Sequence, residues 1–133
     1  MNFSVSFCDP FNPKIVELGE IDADKIIETF DKIPWRDYLE KMINAEDREI
    51  HYSPSLAVEN KEQNCGLDIS FIEENDWYIF FKRPKRVKWL FGLISTMQKS
   101  YLTDITKQTE KDVRDCLQAL IRNDLDFLEN KIK

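Results

Sequence analysis

The chain has 133 residues, of which 42% are hydrophobic and 33% are charged, and its formal net charge is −6. This length fits a single domain, and the hydrophobic fraction is large enough to fill a core, which excludes a disordered chain. An isoelectric point near 4.9 opposes nucleic-acid binding by the whole chain, because that affinity depends on cations that contact phosphates. We therefore expect one domain over residues 1–133.

The first predicted element is a strand at the N-terminus. Phe3, Val5 and Phe7 alternate with serines, and this period of two is typical of a half-buried strand. Pro10 and Pro13 should end it, because proline has no N–H to donate to a sheet.

Residues 22–44 have helical periodicity. Asp22 is the predicted N-cap, and apolar residues then recur at spacings of three and four on both sides of Pro34. Since proline interrupts the hydrogen bonds of a helix, the pattern predicts one kinked helix, or two short ones, with a single apolar face.

Several strands should follow in the middle of the chain. Alternating or continuous apolar runs predict strands at residues 50–52, 56–58, 67–71 and 77–81. The polar segments between the later runs suit hairpins, so a meander of three antiparallel strands is the simplest pairing. The run at 77–81 is apolar on both faces, which predicts a central strand covered on both sides. Residues 89–100 fit either a helix or a strand, and residues 101–106 favour a strand.

The C-terminal segment is the clearest helix. Thr109 and Asp112 have the spacing of a capping box, and an apolar stripe follows them. Asn123 and Asp124 should end this helix and precede a short final one. The element order predicts an α+β fold: an antiparallel sheet of about four to five strands, with an N-terminal kinked helix and C-terminal helices packed on one face.

Charge is unevenly distributed along the chain. Residues 1–76 have a net charge of −11, whereas residues 77–100 contain six cations and no acid. Three interpretations of the basic stretch remain open: cations that balance acids within the fold, a surface for an anionic partner, and a short nuclear-import signal at residues 85–88. Segregated charge of this kind is typical of proteins that meet a charged partner.

No pattern in the chain specifies a reaction. His51 is the single histidine, and nothing nearby marks it or Cys65 as part of a nucleophilic system. Three dispersed cysteines do not supply the paired ligands of a zinc site, and three glycines do not make a phosphate-binding loop. We expect no catalytic residue, metal or cofactor, and we keep a small enzyme that uses His51 as a minor alternative.

The expected location is the cytoplasm. The N-terminus lacks the basic and apolar regions of a signal peptide, and no apolar run approaches the roughly 20 residues that span a bilayer. An odd number of distant cysteines also favours reduced thiols. We expect no membrane association, and the oligomeric state stays open.

Three segments give the chain a resemblance to a known class. They are residues 50–56, residues 77–84, and residues 101–106 with 115–120. In these segments, and in its size and acidity, the chain resembles small cytosolic immunity proteins that bacteria encode beside secreted antibacterial toxins. This resemblance implies tight binding to one cognate toxin, commonly at the toxin's active site, and it assigns no role to any particular residue.

Together these observations predict a non-enzymatic protein-binding module, with a cognate toxin as the suspected partner. An acidic surface suits the basic active cleft of a toxin that acts on nucleic acid, and opposite charge also speeds encounter. The acids of residues 17–31, 46–49 and 73–76 are the candidate face for such contact. The alternative is a regulatory or adaptor protein that binds an anionic ligand through residues 82–88. The candidate partner-binding residues are the acids Glu46, Asp47, Glu49, Glu73, Glu74 and Asp76 and the cations Lys82, Arg83, Lys85, Arg86 and Lys88.

Overall fold

The computed structural model describes residues 2–89, 92 and 94–133, without the side chains of Lys88 and Trp89. The strands are β1 (Asn2–Cys8), β2 (Val16–Asp22), β3 (Ser55–Asn60), β4 (Cys65–Glu73), β5 (Asp76–Trp89) and β6 (Ile94–Gln108). The helices are α1 (Ile26–Lys32), α2 (Trp35–Ile43), α3 (Glu110–Ile121) and α4 (Leu125–Lys131). Short 3-10 turns lie at Ala23–Lys25 and Asp47–Glu49.

The six strands form one antiparallel sheet in the order β2-β1-β3-β4-β5-β6. A hairpin joins β1 to β2, and the chain then crosses through α1 and α2 to place β3 on the other side of β1. From β3 onward the sheet is a meander, which confirms the predicted antiparallel pairing of the middle strands. The α+β class is also confirmed.

The core lies between the helices and one face of the sheet. Alternate residues of β1, β3, β4 and the first part of β5, as far as Phe81, are buried there, and these side chains meet apolar residues from all four helices. An aromatic cluster marks its centre, where Trp77 contacts Phe30, Trp35 and Phe71 with ring centroids 4.5–5.6 Å apart. The sequence pattern correctly placed the helices on one face of the sheet.

The structure corrects four details. The sheet has six strands rather than four or five, because the exposed segment Val16–Asp22 pairs with β1 as an edge strand. Residues 50–52 form no strand, and the backbone N–H of His51 instead donates to the carbonyl of Pro10 at 2.7 Å. Residues 22–44 form the second of the two predicted alternatives, two short helices, since Ile33 is extended before Pro34; the predicted N-cap Asp22, however, makes no side-chain cap. The strand over residues 77–81 is covered on one side only, with Tyr78 and Phe80 half-buried on the other.

The ambiguous segment 89–100 is strand from Ile94 onward, and residues 90, 91 and 93 lie outside the described part of the chain. Strand β4 pairs with β5 as far as Lys82, whereas the pairing of β5 with β6 continues to Trp89 and Ile94. The far part of this hairpin is therefore a two-stranded ribbon that extends past the end of β4.

The capping box of α3 is confirmed. Thr109 is the N-cap; its hydroxyl accepts from the N–H of Asp112 at 3.2 Å, and its own N–H donates to the Asp112 carboxylate at 2.9 Å. Helix α3 ends before Asn123, which has a positive φ of 59°, and Asp124 then caps α4 through the N–H of Phe127. The predicted short final helix is thus present.

Candidate binding face of the sheet

The strands present the face of the sheet opposite the helices to solvent. Alternation along each strand places on it the side chains that point away from the core. We call it the open face and define it as Asn2, Ser4, Ser6, Glu17, Glu20, Asp22, Ser55, Ala57, Glu59, Asp68, Ser70, Tyr78, Phe80, Lys82, Leu102 and Asp104.

The open face is strongly acidic. Its sixteen residues include six carboxylates and one ammonium group, which gives a net charge of −5 at neutral pH. The single cation, Lys82, is already engaged, since its Nζ lies 2.6 Å from Oε1 of Glu59. Most of the remaining side chains are small or hydroxylic, so the backbone of the sheet is accessible between the charges.

A groove of about 300 Å³ crosses the open face over β3, β4, β5 and β6. Its walls include the apolar side chains of Ala57, Phe80 and Leu102, and Leu102 is 58% exposed. Its floor runs past Gly66, where a Cβ atom would lie 2.7 Å from the carbonyl oxygen of Val58. A side chain at this position would push strands β3 and β4 apart. Glycine therefore permits the two strands to pair and leaves the bottom of the groove open.

Asp68 is the carboxylate inside this groove. Its side chain is exposed at the mouth of the groove but is flanked by the groove walls, and this partial desolvation raises its pKa above the usual value. The described part of the chain contains no hydrogen bond to the Asp68 carboxylate and no cation paired with it. Asp68 is therefore an acceptor held in a partly apolar setting without a donor.

Most cations at residues 82–88 of the basic stretch form ion pairs within the protein. Arg83 is only 3% exposed, and its guanidinium binds Glu129 of α4 through Nε and Nη2, the latter at 3.2 Å from Oε2. The Nζ of Lys85 lies 3.2 Å from the same carboxylate. These contacts fasten α4 to the sheet, and Arg83 also lies between the rings of Phe81 and Tyr101, 4.4 and 4.7 Å from their centroids. The interpretation as internal charge balance therefore describes Lys82, Arg83 and Lys85.

Arg86 differs from its neighbours. It lies on the ribbon, is exposed, and makes one long contact of 3.4 Å with the hydroxyl of Ser95. No acid among the described residues pairs with Arg86. The side chain of Lys88 lies outside the described residues, so its predicted role stays a prediction.

The six acids predicted from the sequence form two separate groups. Glu46, Asp47 and Glu49 are exposed in the 3-10 turn after α2, and Glu46 pairs with Arg48 at 2.7 Å. Glu73 and Glu74 are exposed in the turn between β4 and β5, where Glu74 pairs with Arg36 at the start of α2. The length of α2, roughly 13 Å for nine residues, separates the two groups.

Asp76 is not available to a partner in this structure. It is 5% exposed, and its carboxylate accepts from the backbone N–H of Lys107 at 3.1 Å and from Lys107 Nζ at 3.2 Å. Lys107 has a positive φ of 59°, so this pair of contacts holds an irregular residue of β6. The role of Asp76 in the structure is to fix the β5–β6 hairpin.

Sequence reasoning included three acids of the open face, Glu17, Glu20 and Asp22, in its acidic candidate segment 17–31, and missed the other three, Glu59, Asp68 and Asp104. The signal for Asp68 was present, because it alternates with Leu67 and Ile69 and therefore had to face away from the core. Glu17 and Glu20 belong to the predicted acidic segment, but the strand that places them on the open face was not recognised. Glu59 and Asp104 carried no signal of a shared face, because the order of the strands in the sheet, which places β3 and β6 on either side of β4 and β5, was not predicted.

The residues considered for catalysis do not come together. His51 precedes β3, whereas Cys65 lies beside Asn60 at its far end, so the strand, roughly 20 Å long for six residues, separates them. Cys65 and Cys116 are buried free thiols, and burial raises the pKa of both, that of Cys116 to about 12. No group of three or more potential metal-ligating side chains occurs within residues 2–89, 92 and 94–133. In that same part of the chain, no helix has the length and apolar character needed to cross a membrane.

Comparison with known proteins does not extend this description. No protein-family model, no curated protein and no solved structure matches the chain. Function must therefore be argued from the surface itself.

Proposed function

We propose that this protein is a non-enzymatic binding module that recognises a protein with a basic surface through the open face. The particular role that fits best is that of an immunity protein, which neutralises a cognate toxin by covering its basic cleft. The observation that carries the proposal is the net charge of −5 on a sheet face that none of the described helices covers.

Three further features support this reading. The cations that could have neutralised the open face are held elsewhere, because Arg83 and Lys85 bind Glu129. A sheet face is a rigid platform, so a partner can bind without ordering a flexible segment, which lowers the entropic cost of association. An acidic face also steers a basic partner toward it and raises the association rate at low ionic strength.

The experiment uses the product of the gene next to the one that encodes this chain. Expressed alone, that product should arrest growth of the host, and co-expression of the present chain should restore growth. With purified proteins, an equimolar complex should form with an association rate that falls steeply as salt rises. A neighbouring gene product that neither binds nor is neutralised contradicts the proposal.

Charge reversal then locates the binding surface. Glu17→Lys with Asp104→Lys should slow association at least about tenfold at low salt, because it removes four units of charge from the open face. Glu40→Lys with Asp126→Lys, on the exposed sides of α2 and α4, changes the net charge by the same four units; this matched control should change the rate much less. A third variant, Glu73→Lys with Glu74→Lys, tests the acids predicted from the sequence. If only this variant slows association, the partner binds at the β4–β5 turn and not on the open face.

The ribbon supports a second candidate function, that of an adaptor for an anionic ligand. Arg86 and Lys99 are exposed on it, and residues 77–100 contain no acid to neutralise them. Replacing Lys85, Arg86 and Lys88 by alanine tests this candidate. Loss of partner binding with an unchanged unfolding free energy favours the adaptor, whereas lower stability with binding retained indicates that these cations serve the fold.

A further inference from the structure

The groove on the open face has the size of a site for one side chain. Its volume of about 300 Å³ lies at the lower end of the range for ligand pockets, roughly 300–1,000 Å³, so it is small for a cofactor. Ala57, Phe80 and Leu102 give it apolar walls, and Asp68 places a carboxylate between them. Apolar walls around one acceptor match a long side chain that has an aliphatic stem and a cationic head.

The charges around the groove favour a cation from outside. Lys82 lines the groove, but its ammonium group is bound to Glu59, and that pair leaves Asp68 without a counter-ion among the described side chains. Asp68 is exposed at the mouth of the groove, but the apolar walls beside it partly desolvate its carboxylate, which raises its pKa. A donor that enters the groove would replace the missing solvation and gain a charge-assisted hydrogen bond.

We infer that the groove receives a single arginine side chain of the partner protein, with its guanidinium on Asp68 and its stem against Phe80 and Leu102. The identity of the partner in this inference rests on the proposed function. The preference of the groove for a guanidinium group does not depend on that function. Arginine fits better than lysine because its planar group can bind a carboxylate in two places and can stack on the ring of Phe80.

The first test needs no partner. Nα-acetyl-arginine-methylamide is titrated into the ¹⁵N-labelled protein, with the uncharged isostere Nα-acetyl-citrulline-methylamide as the control compound. We expect saturable shifts of the amide signals of Ala57, Asp68, Phe80 and Leu102 with the arginine compound alone. Asp68→Asn should abolish them, whereas Asp22→Asn, which removes the same charge at the far edge of the sheet, should not. Equal shifts with both compounds, or shifts that survive Asp68→Asn, overturn the inference.

The second test uses the product of the neighbouring gene. Asp68→Asn should weaken the complex at least about 30-fold, mainly through faster dissociation, while Asp22→Asn should weaken it less than about threefold. If the partner binds the wild type and Asp68→Asn equally well, the groove is not the contact point and the inference fails while the proposed function stands. If the neighbouring product binds neither protein but the arginine compound titrates as expected, the proposed function fails and the guanidinium site stands.

Discussion

Replacing Glu129 by glutamine should lower the free energy of unfolding by about 2–3 kcal/mol, because the change leaves the buried Arg83 without its carboxylate. Removing one partner of a fully buried ion pair costs about 3–5 kcal/mol. The upper part of that range does not apply, since Glu129 is 33% exposed and water can reach the pair. Glutamine can also still accept one hydrogen bond through its Oε1. Arg83 keeps two acceptors, the carbonyl of Phe81 at 3.1 Å and the hydroxyl of Thr103 at 2.6 Å.

The pH dependence of this effect has a definite sign. The hydrogen bond from Arg83 and that from Lys85 lower the pKa of Glu129 below its usual value of 4.5. A carboxyl group with a lowered pKa in the folded state stabilises the protein above the unfolded pKa, and this contribution is lost as the pH falls through the folded pKa. The difference between wild type and Glu129→Gln should therefore be constant above about pH 5 and should shrink below 4.5.

Urea unfolding at a series of pH values measures both quantities, and thermal unfolding should show a Tm lower by roughly 8–12 °C at pH 7. The matched control is Glu74→Gln, because Glu74 pairs with Arg36 but both side chains are more than half exposed. An exposed pair of this kind contributes less than about 1 kcal/mol. If Glu129→Gln costs no more than the control, or if its cost is the same at pH 3 as at pH 7, Arg83 does not depend on this carboxylate and the reasoning is refuted.

Three other changes have expected outcomes. Asp68→Asn should raise the unfolding free energy at pH 7 by less than about 1 kcal/mol, because the raised pKa of Asp68 means that its ionised form lowers stability as the pH rises. The gain should vanish below the usual pKa of 3.8. Urea unfolding that finds a loss of stability at pH 7 contradicts this expectation. Thr109→Ala should cost about 1 kcal/mol through loss of the α3 capping box, measured by the same method, and a cost indistinguishable from zero would show that the cap contributes nothing. Cys65 and Cys116 are buried, and the pKa of Cys116 is raised to about 12. In a Cys8→Ser variant, which lacks the third thiol, DTNB should therefore label no cysteine at pH 8 until the protein unfolds. Rapid labelling of the folded protein would contradict that burial.

Elements with a local signal were predictable from the sequence. The Thr109 capping box and the alternation of Leu67, Asp68 and Ile69 each depend on residues within a few positions, and each appeared as expected. Strand β2 carries no such signal, because it is an exposed edge strand whose alternation is broken by a bulge at Gly19, where φ is 84°. Strand β2 forms only through its pairing with β1, and that pairing is a tertiary contact that local sequence does not show.

The candidate site shows the same division between local and distant information. The sequence indicates which residues are charged and, through alternation, which face several of them occupy. It does not indicate that Arg83 pairs with Glu129, because 46 positions separate them along the chain. That distant contact decides whether the cations are exposed to a partner or paired with acids inside the protein. The sequence alone therefore left both interpretations open.

These pairings also explain why the open face keeps its acidic charge. Lys82 neutralises Glu59, while Arg83 and Lys85 share Glu129 on the helix side, so the cations nearest to the open face do not reduce its remaining charge. Five carboxylates of that face are left without a cation among the described residues: Glu17, Glu20, Asp22, Asp68 and Asp104. Their mutual repulsion lowers the stability of the free protein, and a basic partner would relieve it on binding. A fold that uses its basic stretch to hold a terminal helix, and leaves an acidic sheet face uncovered beside it, is therefore better suited to binding a cationic surface than to binding an anionic one.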